Sequence, residues 1–126
     1  MFDWRRPGNL GVKDGRLAPP RRSPNCVSSQ ADPDDREHYI QPIAFRGPMS
    51  QVKKALLEMP GVTLVEERPD YLYAEFRSRL LRFVDDVELL LGDGVVHVRS
   101  ASRLGRRDFG VNRARVEALR VRIADK

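Results

Sequence analysis

Between Pro60-Gly61 and Ser102 the chain reads as four extended segments joined by turns, and no other feature constrains the fold as strongly. "VTLVEE" (62–67) is closed by Pro69-Asp70, a turn signal. "YLYAEFRS" (71–78) alternates, with Leu72, Ala74 and Phe76 on one face and Tyr71, Tyr73, Glu75 and Arg77 on the other. "LRFVDDVELLL" (81–91) is long enough to carry a bulge near Asp85-Asp86. Gly92-Asp93-Gly94 predicts a hairpin turn, and "VVHVRSAS" (95–102) is the returning strand. Consecutive strands with such short connections pair as an antiparallel meander.

The flanks supply a further strand and two helices. "HYIQPIAF" (38–45) holds the strand formers Tyr39, Ile43 and Phe45, but Pro42 removes a ladder donor and marks an edge or broken strand. In "GPMSQVKKALLEMPG", Pro48 suits a first helical turn, and Val52, Ala55, Leu56 and Met59 form one apolar stripe. "GVNRARVEALRVRIADK" predicts a last helix with Val111, Ala114, Ala118 and Val121 on its stripe, although "LRVRIA" also alternates like a strand. The expected fold is α+β: a meander of about four or five strands packed on two helices as a two-layer sandwich, in the order β-α-β-β-β-β-α. Residues 38–126 form the expected domain. Residues 1–37, punctuated by "RPGNLG", "LAPPRRSPN" and "ADPDD", form an irregular lead-in. Phe2, Trp4, Leu10, Val12 and Leu17 predict that this lead-in lies partly across the domain, with residues 1–8 the most mobile.

Charge and composition narrow the function classes. The 126 residues are 40% hydrophobic and 33% charged. No run approaches the roughly 20 apolar residues of a membrane helix, and the N-terminus lacks the apolar core of a secretory signal, so the expected compartment is the cytoplasm and no membrane insertion is expected. The net charge of +5 is uneven: residues 1–22 and 99–126 balance at +4 and +6, residues 23–98 at −5. Basic ends either pair with the acidic middle or build an anion-binding surface. One cysteine, Cys26, and two distant histidines, His38 and His97, give no metal-ligand spacing and imply no cofactor.

Three constellations carry possible chemistry. Cys26, in the turn-forming phrase "SPNCVSSQ", is a candidate catalytic nucleophile, with His97 or His38 as base and Asp85 or Asp86 to orient it; the alternative is a small buried anchor. Asp85 and Asp86 point to opposite faces of a strand, so they suit structural pairing with Arg77, Arg79, Arg82, Arg99 or Arg103 better than paired-carboxylate catalysis. The third is "VHVRSASRLGRRDFGVNRAR" (96–115). A hairpin symmetric about Asp93 sets Arg99 opposite Val87, Ser100 opposite Asp86 and Ser102 near Val84. Asp85, Asp86, Arg99, Ser100, Ser102 and Arg103 then converge at one end of the sheet. Gly105 and Gly110 permit a sharp turn there, and Asp108 caps the last helix. Arg99, Ser100, Ser102, Arg103, Asn112, Arg113 and Arg115 would form a site for a small anion or an acidic group of a partner protein. The alternative is a self-satisfied network with Asp85, Asp86 and Asp108. A basic segment with one aromatic, Phe109, and no recognition motif makes nucleic acid the weaker partner class. The expected function is a non-catalytic binding module, with a Cys26 enzyme as the alternative; if neither holds, Phe2 and Trp4 would dock on a partner or a second copy. The oligomeric state is open.

The phrases "NLGVKDGRLAP", "SPNCVSSQ", "SRLLRFVDDVE" and "RSASRLGRRDFGVNRARVEALR" together resemble the domain of unknown function 1499 family, over Asn9 to Arg120. The resemblance implies no assigned activity. Many members carry a second cysteine before the "SPNC" phrase, where this chain has Pro20, so a thiol pair is not expected here.

Overall fold

The computed structural model describes residues 5–20, 25–78, 83–103 and 110–125. Within them lie β1 (Cys26–Ser28), β2 (Ile43–Ala44), α1 (Met49–Leu57), β3 (Val62–Arg68), β4 (Tyr71–Arg77), β5 (Val84–Leu91), β6 (Val95–Ser102) and α2 (Val111–Ala124). The α+β architecture is as expected: β3, β4, β5 and β6 form the antiparallel meander, and both helices lie on one face of the sheet. The sheet has six strands, ordered β1-β6-β5-β4-β3, with β2 also beside β6.

The additional strand is β1. Cys26, Val27 and Ser28 pair with Ala101, Ser100 and Arg99, so a segment that reads as irregular lead-in extends the sheet. Three residues are too few to show an alternation, which is why the sequence gives no sign of it. Of the expected strand 38–45, Ile43 and Ala44 pair with Val96 and Val95, and Tyr39 makes an isolated parallel bridge to Ser28, consistent with a break at Pro42.

The β5–β6 hairpin is offset by one residue from the expected register. Its loop is Asp93-Gly94, with Gly94 at φ 72° and the Gly92 amide donating to Val95 O at 2.8 Å. The centre of symmetry therefore falls between Asp93 and Gly94, not on Asp93. Arg99 pairs with Glu88, Ser100 with Val87 and Ser102 with Asp85. A slip of one residue exchanges the partners across every rung. A second glycine requirement lies at Gly61, at φ 78°, where a Cβ would stand 2.6 Å from the Arg77 carbonyl oxygen.

The main core fills the space between sheet and helices. Leu72, Ala74 and Phe76 of β4 meet Val52, Ala55 and Leu56 of α1 there, as the alternation and the α1 stripe require. α2 corrects an expectation. Its buried stripe is Asn112, Val116, Leu119 and Ile123, while Val111 and Val121 are 47% and 61% exposed. The stripe with Val116, Leu119 and Ile123 buries more apolar surface than one made of two valines and two alanines, and the helix turns it inward. α2 runs to Ala124, so "LRVRIA" is helical. The opposite face of the sheet carries a smaller cluster, Tyr71, Tyr73, Leu90 and Leu17 with Leu10 against it. Leu10 and Leu17 belong to the N-terminal segment, which crosses this face as a strap.

Candidate functional site

The pleat divides the expected site in two. Ser100, Ser102 and Asp85 face the helices; Arg99, Arg103 and Asp86 face the strap. Side chains of adjacent residues on a strand emerge on opposite faces, so residues 99–103 cannot converge on one ligand.

On the helix side, Asn112 organises the junction of β6 and α2. It is fully buried. Its Oδ1 accepts from Ser100 Oγ at 2.6 Å and Arg115 Nη1 at 3.0 Å, and its Nδ2 donates to Ser102 Oγ at 2.8 Å and Asn25 O at 3.0 Å. Arg115 also meets Asp85 Oδ2 at 2.8 Å and stacks over the Phe76 ring at 4.8 Å. Arg113 lies apart from this cluster and donates to the carbonyls of Tyr39 at 2.9 Å and Arg36 at 3.3 Å. Five of the seven expected ligand residues thus hold α2 to the sheet or to the loop before β2. Gly110, at φ 78°, occupies the N-cap position before α2; Asp108, expected as its cap, lies outside the described residues, as do Gly105, Phe109, Arg79 and Arg82.

On the strap side, Arg103 is clamped between two carboxylates. Its Nε and Nη2 donate to Asp86 Oδ2 and Oδ1, both at 2.9 Å, and Nη2 also reaches Glu75 Oε2 at 2.6 Å. The Tyr73 hydroxyl donates to Asp86 Oδ1 at 2.5 Å. Burial raises the Tyr73 hydroxyl well above the ordinary phenol range, reinforced by the Asp86 carboxylate. Hydrogen bonding to Asp86 raises the Arg103 guanidinium. Burial pulls the Glu75 carboxyl up, but hydrogen bonds and charge from Arg6 and Arg103 hold it below its ordinary value.

Further along this face, Arg99 is 1% exposed and lies beside Glu88, which is completely buried. Arg99 Nη1 and Glu88 Oε1 are 3.8 Å apart, an ion pair too long for a hydrogen bond. Among the described residues, Arg99 Nε and Glu88 Oε1 have no hydrogen-bond partner. The other Glu88 oxygen accepts from the Tyr71 hydroxyl at 2.5 Å and the Gly11 amide at 2.7 Å. Burial pushes the Glu88 carboxyl up, although Tyr71, Gly11 and Arg99 all favour its charged form. Glu88 is a site residue the sequence reading missed; the register offset brought it to Arg99.

The strap is held to this face by groups of its own. Arg6, in the stretch expected to be the most mobile, donates to Glu75 Oε2 from Nε at 3.0 Å and Nη2 at 2.8 Å. Gly11 bonds Glu88, Pro19 O accepts from Arg99 Nη2 at 3.4 Å, and the Leu17 amide donates to Gln30 Oε1 at 2.9 Å. Phe2 and Trp4 lie outside the described residues.

Cys26 is completely buried, with Sγ 4.0 Å from Val27 O. His38 Nδ1 is 2.7 Å from Asp35 Oδ2, and His97 Nδ1 is 3.2 Å from Ser29 Oγ. Among the described residues no group of three or more His, Cys, Asp or Glu side chains is disposed to hold a metal ion. No helix among them is long and apolar enough to cross a membrane.

The family model described as "Protein of unknown function (DUF1499)" matches residues 16–123. The chain belongs to this family. The match runs from before β1 to Ile123 of α2, so Asn112, Arg99, Arg103 and their partners on the sheet of this DUF1499 chain lie within it, while Arg6 and Gly11 precede it. Comparison with curated proteins finds no match.

Proposed function

We propose that this DUF1499 protein is a non-catalytic binding module in which Arg99 receives an acidic group, a small anion or a partner's carboxylate, on the sheet face beneath the strap. The supporting observation is the guanidinium itself: it is 1% exposed, yet among the described residues its Nε has no acceptor. Buried donors are nearly always satisfied, and an oxyanion beside a guanidinium edge gains two parallel charge-assisted bonds. Among the described residues, Arg99 is an expected ligand residue with a buried donor that lacks an acceptor. Ser100, Ser102, Asn112 and Arg115 bond one another, and Arg103 is bidentate to Asp86. Glu88 competes with an incoming anion while it is charged. Burial already favours its neutral form, so anion binding and Glu88 protonation reinforce each other.

Thermal melting with inorganic phosphate or acetate, against chloride at matched ionic strength, tests the reading. Phosphate or acetate is expected to raise the Tm beyond the chloride control, more so at mildly acidic than at neutral pH, and Arg99→Lys to lose the effect. No shift beyond chloride, or the same shift in Arg99→Lys, overturns it. If Arg99→Lys does not fold, phosphate titration of the wild-type protein followed at the Arg99 Nε–H NMR resonance gives the answer: an unmoved resonance overturns the reading.

A further inference from the structure

We infer that Glu75 and Tyr73 form a seat for a guanidinium group, which Arg6 fills from within the chain and which an arginine side chain of a partner protein can fill in its place. The occupant and the seat are held very differently. Arg6 puts both Nε and Nη2 on Glu75 Oε2, and its guanidinium carbon lies over the Tyr73 ring, 5.7 Å from the centroid. Yet its side chain is 53% exposed and belongs to an irregular segment beside Pro7 and Gly8.

The seat is locked from behind by groups other than Arg6. Glu75 is 8% exposed at the side chain and receives Arg103 Nη2 at 2.6 Å, with the Tyr73 hydroxyl oxygen 3.3 Å away. Tyr73 is itself fixed by Asp86. Arg77 approaches the other Glu75 oxygen, Oε1, at 3.7 Å and leaves Oε2 to the guanidinium. A carboxylate and an aromatic face held in place by a second layer of hydrogen bonds make a preorganised receptor, which loses little freedom when its ligand arrives. The pairing of a fork with a flat ring selects a planar cation over an ammonium. The strap carries such a cation on a tether, so a partner's arginine competes only with an intramolecular contact of a half-exposed side chain.

The test uses the full chain, wild type and Arg6→Ala, titrated with N-acetyl-argininamide and with N-acetyl-lysinamide, binding being read at the Tyr73 ring resonances. Arg6→Ala is expected to bind the arginine compound about tenfold more tightly than wild type, whose seat is occupied, and more tightly than it binds the lysine compound. Equal binding by wild type and Arg6→Ala, no preference for arginine, or binding that leaves the Tyr73 ring unmoved overturns the inference. Its residues are distinct from Arg99, so it stands or falls separately from the anion reading.

Discussion

Asp85 and Asp86 are adjacent in the chain and hold arginines on opposite faces of the sheet. Asp85 takes Arg115 at 2.8 Å on the helix side, and Asp86 takes Arg103 at 2.9 Å beneath the strap. One strand thereby fastens the last helix and one end of the polar face in consecutive residues. Four carboxylates of the acidic middle, Glu75, Asp85, Asp86 and Glu88, face arginines of the basic ends in this way: Arg6, Arg99, Arg103 and Arg115.

Arg103 is the most demanding member of this arrangement. Its removal leaves Glu75 and Asp86, two nearly buried carboxylates, without their shared cation. Arg103→Ala is expected to lower the unfolding free energy by about 3–5 kcal/mol, because breaking a buried pair strands an uncompensated charge. Chemical denaturation measures this. A loss below about 1 kcal/mol would mean that the clamp carries no more than an exposed ion pair.

His97 gives a signal at accessible pH. Burial, followed by the charge of Arg16, lowers its imidazole below the ordinary 6.5. Its unfolded form therefore binds the proton first as pH falls. The stability this group contributes is present above 6.5 and is lost between 6.5 and the lower folded-state value. NMR titration is expected to place the His97 midpoint below that of an unfolded peptide, and Arg16→Gln to move it upward. A midpoint that Arg16→Gln leaves unchanged would remove the charge contribution and leave burial alone.

Cys26 is expected to be unreactive in the folded protein. Complete burial withholds the thiol from solvent, and a thiolate is the reacting species. Iodoacetamide labelling should proceed at the rate of opening and accelerate on denaturation to that of an ordinary cysteine. Fast labelling of the native chain, increasing as the thiolate forms, would restore the nucleophile reading.

The meander, the first helix and the alternation of β4 are legible because long periodic segments and turn residues encode them directly. The hairpin register was not, because Gly92-Asp93-Gly94 admits two centres and only the ladder chooses between them. The α2 stripe differs from the expected one because its first inward residue is Asn112, polar in sequence and satisfied by partners distant in the chain, on β6 and at Asn25. Arg99, Arg103 and Arg115 were legible as important, but whether they meet one ligand or separate carboxylates depends on which face each occupies. A one-residue offset decides that. The role of Arg6 had no local signal, since its partner lies 69 residues away.

β1 can reach its partner only after β6 has been made. Cys26 pairs with Ala101, so an early-synthesised segment must wait, unpaired, for the last strand. The meander can close from neighbouring segments, whereas the strap and β1 depend on contacts of long sequence separation, which form slowly. The N-terminal segment is therefore expected to dock after the meander has closed. Until it does, the polar face with its tyrosines, carboxylates and arginines stands open to water, and any molecule that recognises that face has its first opportunity during biogenesis.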